Sequence, residues 1–254
     1  MILILGGTTE AMALARRIAA RGEIDAVLSL AGRTVSPVLP PVPHRIGGFG
    51  GVEGLSTYLR VARIGAVIDA THPFAARMKA NAAAACAAAG VPLLALTRPA
   101  WTREPDDRWI EVADAQAAAQ ALGETPRRVF LTAGRLEIPA FLANPQHDYL
   151  IRTIDPPEAM PPKARLLIDR GPFDAAAEEA LMRREEIEIL VSKNSGGAST
   201  QGKIIAARRL SLPVILITRP HPPVGVATTG DVGEAYAFAL AHGAHAPSGT
   251  DRGV

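Results

Sequence analysis

The chain has 254 residues, 48% of them hydrophobic and 20% charged, which excludes intrinsic disorder and leaves ample material for a buried core. Twenty-seven basic residues against 25 acidic give a net charge of +2, and aromatics reach only 4%. This balance argues against a general polyanion binder and against a stacking platform for single-stranded nucleic acid. The single cysteine, Cys86, excludes an intrachain disulfide and a multi-cysteine metal site. No basic leader precedes the opening apolar run, and the Ala-rich stretch 80–89 is too short and weakly apolar to span a bilayer. We therefore expect a cytoplasmic protein with no membrane or nucleic-acid partner and no metal.

In chain order, short β-rich runs alternate with longer helical stretches. Strands are expected over 2–5, 26–30, 66–70 and 92–96, with helices over 9–20, 54–63 and 74–89. Short apolar runs bounded by Gly or Pro suit parallel strands buried on both faces. Residues 98–108, with Pro99, Pro105 and clustered charges, break the rhythm and read as a linker. A second set follows, with strands over 128–132, 149–154, 165–168, 187–192 and 213–218. Its helices are expected over 136–142, 174–184 and 200–210. A last helix over 231–242 either closes this second set or crosses back onto the first. The tail 244–254 is small and polar and is expected to be disordered. The expected fold is α/β: a Rossmann-like parallel-sheet domain over 1–97, a second over 98–242, and an active site in the cleft between them.

Ligands of open α/β sheets bind beyond the carboxyl ends of the strands, so residues just after strands are the informative ones. Ile2-Leu-Ile-Leu-Gly-Gly-Thr-Thr-Glu-Ala11 is a strand, a tight glycine turn and a helix start. Gly6 and Gly7 allow close backbone approach to a pyrophosphate. The free N–H groups of the helix start bind the anion, and Thr8 or Thr9 caps the helix or donates to phosphate. Thr8 and Ala11 replace the second and third glycines of G-x-G-x-x-G. Glu10 either reaches a ribose hydroxyl or favours the helix N-terminus. After the second strand come Ser29, Gly32, Arg33 and Thr34, with no carboxylate for a ribose 2′-OH. Arg33 with Ser29 and Thr34 would instead hold a 2′-phosphate, and one charge-assisted hydrogen bond of roughly 1.5–3 kcal/mol sets such a preference.

The third strand ends in Asp69-Ala-Thr-His-Pro-Phe-Ala75. Pro73 suits the first position of a helix, Thr71 suits its cap, and His72 is a candidate proton donor or carboxylate ligand. In the second half, Gly134 and Arg135 occupy another strand-to-helix turn. The richest segment is Ser192-Lys-Asn-Ser-Gly-Gly-Ala-Ser-Thr-Gln-Gly-Lys203. It offers donors from Lys193, Asn194, Ser195, Gly196, Gly197, Ser199 and Thr200. Gly197 to Lys203 fits part of a P-loop, but Ile204 stands where a Mg²⁺-binding hydroxyl belongs, which argues against a nucleoside triphosphatase.

Several of these motifs together resemble the precorrin-6A reductase family: Leu5-Gly-Gly-Thr-Thr-Glu10, Asp69 to Ala75, Val129-Phe-Leu-Thr-Ala-Gly-Arg135, Ser192 to Gly197, Thr200 to Lys203, and Ile217-Thr-Arg-Pro220. The likeness runs over about residues 1–240. It implies NADPH-dependent reduction of one macrocycle double bond of precorrin-6A to give precorrin-6B on the aerobic route to cobalamin. The cobalt-containing substrate of the anaerobic route is the nearest alternative, and a non-catalytic NADP- or tetrapyrrole-binding protein is the rival from another class. The resemblance also implies handover of the macrocycle from neighbouring pathway enzymes. With NADP(H) as cofactor, the expected holders are Gly6, Gly7, Thr8, Thr9, Glu10, Ser29, Gly32, Arg33, Thr34 and Thr71, joined by Lys193, Asn194, Ser195, Gly196 and Thr200 from a loop facing them. His72, Thr71 and Ser195 are the candidate catalytic side chains. Arg77, Arg135, Lys193, Gly197, Ser199 and Lys203 are the candidate substrate contacts. A polycarboxylate ring calls for distributed cations, and Lys79, Arg98, Arg152, Arg170 and Arg219 are further candidates.

Overall fold

The computed structural model describes residues 1–32 and 37–243. The expected contributions of Arg33 and Thr34, and the expected disorder of 244–254, lie outside the described residues. The fold comprises two six-stranded sheets, every strand pair parallel, with flanking helices.

The first compact unit is Met1–Arg98 together with the chain from His221, and the second is Pro99–Pro220. The first unit runs β1 (Ile2–Leu5), α1 (Thr9–Arg21), β2 (Ala26–Leu30), β3 (His44–Ile46), α2 (Gly51–Val61), β4 (Ala66–Asp69), α3 (Ala76–Ala89) and β5 (Leu93–Leu96). The second holds β6 (Arg108–Val112), α4 (Ala115–Ala121), β7 (Arg128–Thr132), β8 (Asp148–Thr153), β9 (Ala164–Ile168), α5 (Ala175–Arg184), β10 (Ile189–Lys193), α6 (Gly202–Arg209) and β11 (Pro213–Ile217). The chain then returns with β12 (Ala227–Thr229) and α7 (Val232–Gly243) to the first unit.

The first sheet has the order β12-β5-β4-β1-β2-β3 and the second β6-β11-β10-β7-β8-β9. The winding runs out from β1 in the first sheet and, after the edge strand β6, from β7 in the second, and its direction reverses beside each. These reversals, at β1/β4 and β7/β10, are topological switch points where loops diverge and leave a crevice at the carboxyl ends. Strand β1 is buried along its length, as a central parallel strand should be. Ile2 and Ile4 pack with Leu14, Ile18, Ala235 and Ala239 of α1 and α7, while Leu3 and Leu5 pack with Leu55, Leu59, Ala82 and Ala85 of α2 and α3. Each such aliphatic side chain contributes about 1.5–3 kcal/mol by burial. The second sheet is covered on one face by Met182 of α5 and by Ile204, Ala206 and Ala207 of α6, packed on Phe130, Leu150, Leu190 and Val214.

Local assignments differ in instructive ways. The helix expected to start at Phe74 starts at Ala76, and its N-cap is Ala75 with no side-chain cap. Pro73 therefore precedes the helix instead of opening it, and Thr71 does not cap it. The stretch expected as a helix over 136–142 is a short 3₁₀ turn, Ile138–Phe141. The helix expected from Thr200 splits into a 3₁₀ turn, Ala198–Thr200, and α6. The expected linker 98–108 holds buried Trp101 and Asp107 and runs directly into β6. The edge strands β3, β6 and β12 and helix α4 were not expected from the sequence.

Candidate active site

In the first unit, β1 ends in the two glycines. Gly6 donates its N–H to the Ser29 carbonyl at 2.9 Å, and a Cβ there would meet Leu28 Cδ2 at 2.6 Å, so close packing against β2 demands glycine. Gly7 has φ +126°, a conformation that side chains rarely adopt, and a Cβ there would meet nothing within 4 Å among the described residues. The result is an exposed stretch of backbone directly before α1. Thr8 is the N-cap: its Oγ1 accepts from Ala11 N at 3.2 Å and donates to the Ala70 carbonyl at 2.8 Å, tying the start of α1 to the end of β4. Thr9 is exposed. Glu10 is paired with Arg98 at 2.8 Å. Burial pushes its carboxyl up, but its backbone hydrogen bond and the Arg98 guanidinium outweigh that and leave it below the usual range. Its charge is thus already answered.

A cavity of about 800 Å³ opens at these strand ends. Its walls include Gly6, Gly7, Gly32, the run Gly48–Gly51, Thr71, His72 and Arg77. Asp69, 3% exposed, organises the β4 side of it. Its Oδ1 accepts from Thr71 N at 3.0 Å and from Thr71 Oγ1 at 2.6 Å, and its Oδ2 pairs with Lys79 at 3.2 Å. The Thr71 hydroxyl proton is therefore committed to Asp69. His72 Nδ1 accepts from Phe74 N at 3.3 Å, which in the neutral ring leaves the proton on Nε2. On the β2 side, Arg45 of β3 donates to Ser29 Oγ at 2.8 Å and to the Gly47 and Gly48 carbonyls at 2.9 and 3.0 Å. Its guanidinium lies 4.0 Å from the Phe49 ring centroid. Sequence reading missed Arg45 because the Pro-rich stretch before it gives no strand signal. The repeated glycines at 47, 48, 50 and 51 were the available clue.

In the second unit, the loop after β10 is tightly braced. Asn194 Oδ1 accepts from Trp101 N at 2.8 Å, and its Nδ2 donates to the Trp101 carbonyl at 3.1 Å, so the side-chain amide is occupied as a mimic of a strand pair. Trp101 Nε1 donates to the Gly197 carbonyl at 3.1 Å. Arg219 donates to the carbonyls of Asn194, Ser195 and Pro99 at 2.8, 2.9 and 3.1 Å. A Cβ on Gly196 would lie 2.0 Å from the Pro99 carbonyl oxygen. Ser195 is buried at 8% exposure, while Gly197 and Ser199 are half-buried. Lys193 pairs with Glu137 at 2.7 Å beside Gly134, and Arg135 is half-buried in the same turn. Lys203 is buried at 5% exposure, and the buried Thr200 Oγ1 has no hydrogen-bond partner among the described residues. Arg152 forms a buried two-point pair with Glu178 at 2.6 and 2.7 Å.

The structure thus brings Gly6, Gly7, Gly32, Thr71, His72 and Arg77 around one cavity in the first unit. It gathers Lys193 to Lys203, with Arg135, at the strand ends of the second. Among the described residues no group of three or more His, Cys, Asp or Glu side chains could hold a metal, and no helix is long and apolar enough to cross a membrane.

The comparisons with known proteins agree with this geometry. The family model described as precorrin-6x reductase CbiJ/CobK matches residues 1–239. A precorrin-6A reductase of Rhodobacter capsulatus is 54% identical over 87% of this chain and 89% of its own. A cobalt-precorrin-6A reductase of Priestia megaterium is 27% identical over 89% and 92%. Among solved structures, CobK precorrin-6A reductase superposes with a TM-score of 0.89 at 50% identity, covering 96% of this chain and 97% of that one. With a whole-chain family match and a near relative over most of its length, the chain belongs to the precorrin-6x reductase CbiJ/CobK family, oxidoreductases of a tetrapyrrole intermediate in cobalamin biosynthesis.

Proposed function

We propose that the protein uses NADPH to reduce one double bond of precorrin-6A to precorrin-6B on the aerobic route to cobalamin. The observation that carries the cofactor part is the exposed Gly7 backbone, next to buried Gly6, at a cavity of about 800 Å³ with no carboxylate at the end of β2. A dinucleotide fits that donor set: exposed backbone N–H groups for the pyrophosphate, and a cationic surrounding for a 2′-phosphate. Gly6, Gly7, Thr9, Ser29, Gly32, Arg33 and Thr34 would hold the adenosine and phosphates. When bound, the nicotinamide supplies a hydride.

The chain's own residues bind, orient and supply protons. Asp69 fixes Thr71, and through that turn the position of His72. His72, with its Nδ1 held as an acceptor, offers Nε2–H as a hydrogen-bond donor, and a water held by it and resupplied from solvent is the proposed source of the proton for the carbon next to the one reduced. Arg135, Lys193, Gly197, Ser199 and Lys203 are the proposed contacts for the macrocycle's carboxylates, with Ser195 as a further donor. The greater likeness to relatives acting on the metal-free substrate supports precorrin-6A over its cobalt form.

The test is incubation with precorrin-6A and either NADPH or NADH under exclusion of oxygen. Equal consumption of NADPH and tetrapyrrole is expected, with NADH used poorly and Arg33→Ala narrowing the difference. Binding without turnover would make the protein a carrier, and faster use of cobalt-precorrin-6A would move it to the anaerobic route.

A further inference from the structure

Along the face of the second sheet covered by α5 and α6, the middle row is apolar: Leu150, Phe130 and Leu190. Two residues further toward the carboxyl ends the same face turns polar, with Arg152, Thr132 and Ser192. Arg152 lies there with its guanidinium 3.6 Å from the Phe173 ring centroid and is neutralised by Glu178. Lys203 enters the same region from α6, with its Nζ 5.8 Å from the Trp101 ring centroid. The nearby carboxylates already have cations: Glu178 has Arg152, and Glu137 has Lys193. Among the described residues Lys203 is thus a buried lysine without a carboxylate, and three residues before it stands the Thr200 hydroxyl, unpartnered among the same residues. A buried donor left in this state is costly, and buried charges in proteins are paired or neutralised.

We infer that Lys203 and the Thr200 hydroxyl form a receptor for one carboxylate of the tetrapyrrole, and that the Lys203 amine takes up a proton from solvent as that carboxylate enters. The inference rests on the tetrapyrrole substrate proposed above. The charged groups facing Lys203 are Arg152, Glu178 and Lys193. Burial acts first and lowers the amine's proton affinity; Arg152 adds to this, Glu178 opposes it, and Lys193 adds a little, placing the amine at about 7. A carboxylate reverses the balance: it gives the ammonium form a partner, so one proton is gained and no other bond is made or broken. Affinity for the macrocycle must then fall as pH rises above 7, by up to about tenfold per pH unit.

The measurement is precorrin-6A binding in the presence of oxidised dinucleotide, which cannot reduce it, in weak buffer with a pH indicator. Wild type should take up close to one proton per macrocycle at pH 8, and Kd should rise severalfold to about tenfold between pH 7.5 and 8.5. Lys203→Met should bind more weakly, with no proton uptake and no such pH dependence. Lys203→Arg, permanently charged, should bind without uptake. As a ligand-free readout in a Trp109→Phe background, Trp101 emission should titrate near pH 7 and lose that transition in Lys203→Met. Equal binding by wild type and Lys203→Met, with no proton uptake by either, would overturn the inference while leaving precorrin-6A as substrate. Failure of the wild type to bind or reduce precorrin-6A would overturn the functional reading itself.

Discussion

Removing the Asp69 charge tests whether the β4 turn is built around a buried carboxylate. Asp69→Asn preserves shape but presents Lys79, itself 9% exposed, with an amide in place of its counter-ion. Both Asp69 oxygens are engaged, by the Thr71 backbone and hydroxyl on one side and by Lys79 on the other, so no rotation of the amide satisfies all three donors. Breaking a buried pair from one side costs about 3–5 kcal/mol, because the remaining charge is stranded. For a chain of this size that is a fall in melting temperature of roughly 6–20 °C. Thermal and urea unfolding of wild type, Asp69→Asn, and Asp69→Asn with Lys79→Met are the assay. The double variant, which removes the stranded ammonium, should regain most of the loss. Loss of dinucleotide affinity should accompany the single change, since Thr71 and His72 line the cavity. An Asp69→Asn protein within 1 kcal/mol of wild type, or a double variant no better than the single, would refute the reasoning.

Gly7→Ala forces a side chain into φ +126° and should cost about 1–3 kcal/mol together with at least tenfold in dinucleotide affinity, read by isothermal titration; unchanged affinity would remove Gly7 from the cradle. His147 is fully buried, and burial is the main cause holding its imidazole below the ordinary value, with Arg127 adding to it against the Gly123 carbonyl. The unfolded chain therefore binds a proton that the folded one refuses: stability is complete above about pH 6.5 and declines as pH falls below it. His147→Gln should flatten that acid limb in urea midpoints measured from pH 7.5 to 5. Cys86 is buried, and burial, with Asp69 adding to it, pushes its thiol up to about 11. Ellman's reagent should leave it untouched at pH 8 until the first unit unfolds, and rapid labelling of the native protein would contradict the packing.

The central strands were legible because each is buried on both faces, and a parallel strand in that position is a short apolar run between breakers. Ile2–Leu5 and Ala66–Asp69 are read almost to the residue for this reason. The strands that escaped notice are edges. His44–Ile46 follows Pro40, Pro41 and Pro43, and Ala227–Thr229 follows Pro222 and Pro223. Each is three residues long and largely exposed, so neither needs an apolar run, and proline nearby is tolerated at an edge. Arg108–Val112 mixes charged and apolar residues behind an acidic stretch and looks like the end of a linker. Glycines were equally legible where backbone chemistry requires them, at Gly6, Gly7 and Gly196. Partnerships were not: Ser29 with Arg45, Glu10 with Arg98 and Arg152 with Glu178 join residues 16, 88 and 26 apart, which only the winding of the sheets brings together.

Those partnerships change how the cations should be understood. Counting basic residues near strand ends suggested a wide field of contacts for a polycarboxylate ring. Within the fold, Lys79, Arg98, Arg152 and Lys193 each answer an acidic side chain, and Arg219 clamps three carbonyls of the loop after β10. A cation already paired attracts a further carboxylate only weakly, since the pair is close to neutral beyond a few ångströms. Lys193 beside Gly134 and Arg219 over the loop of Gly196 instead brace glycine turns, which lowers the ordering cost of binding there. On the proposal made for Lys203, specificity for a many-armed anionic ring would rest less on the number of positive charges than on a donor kept without a carboxylate until the substrate brings one.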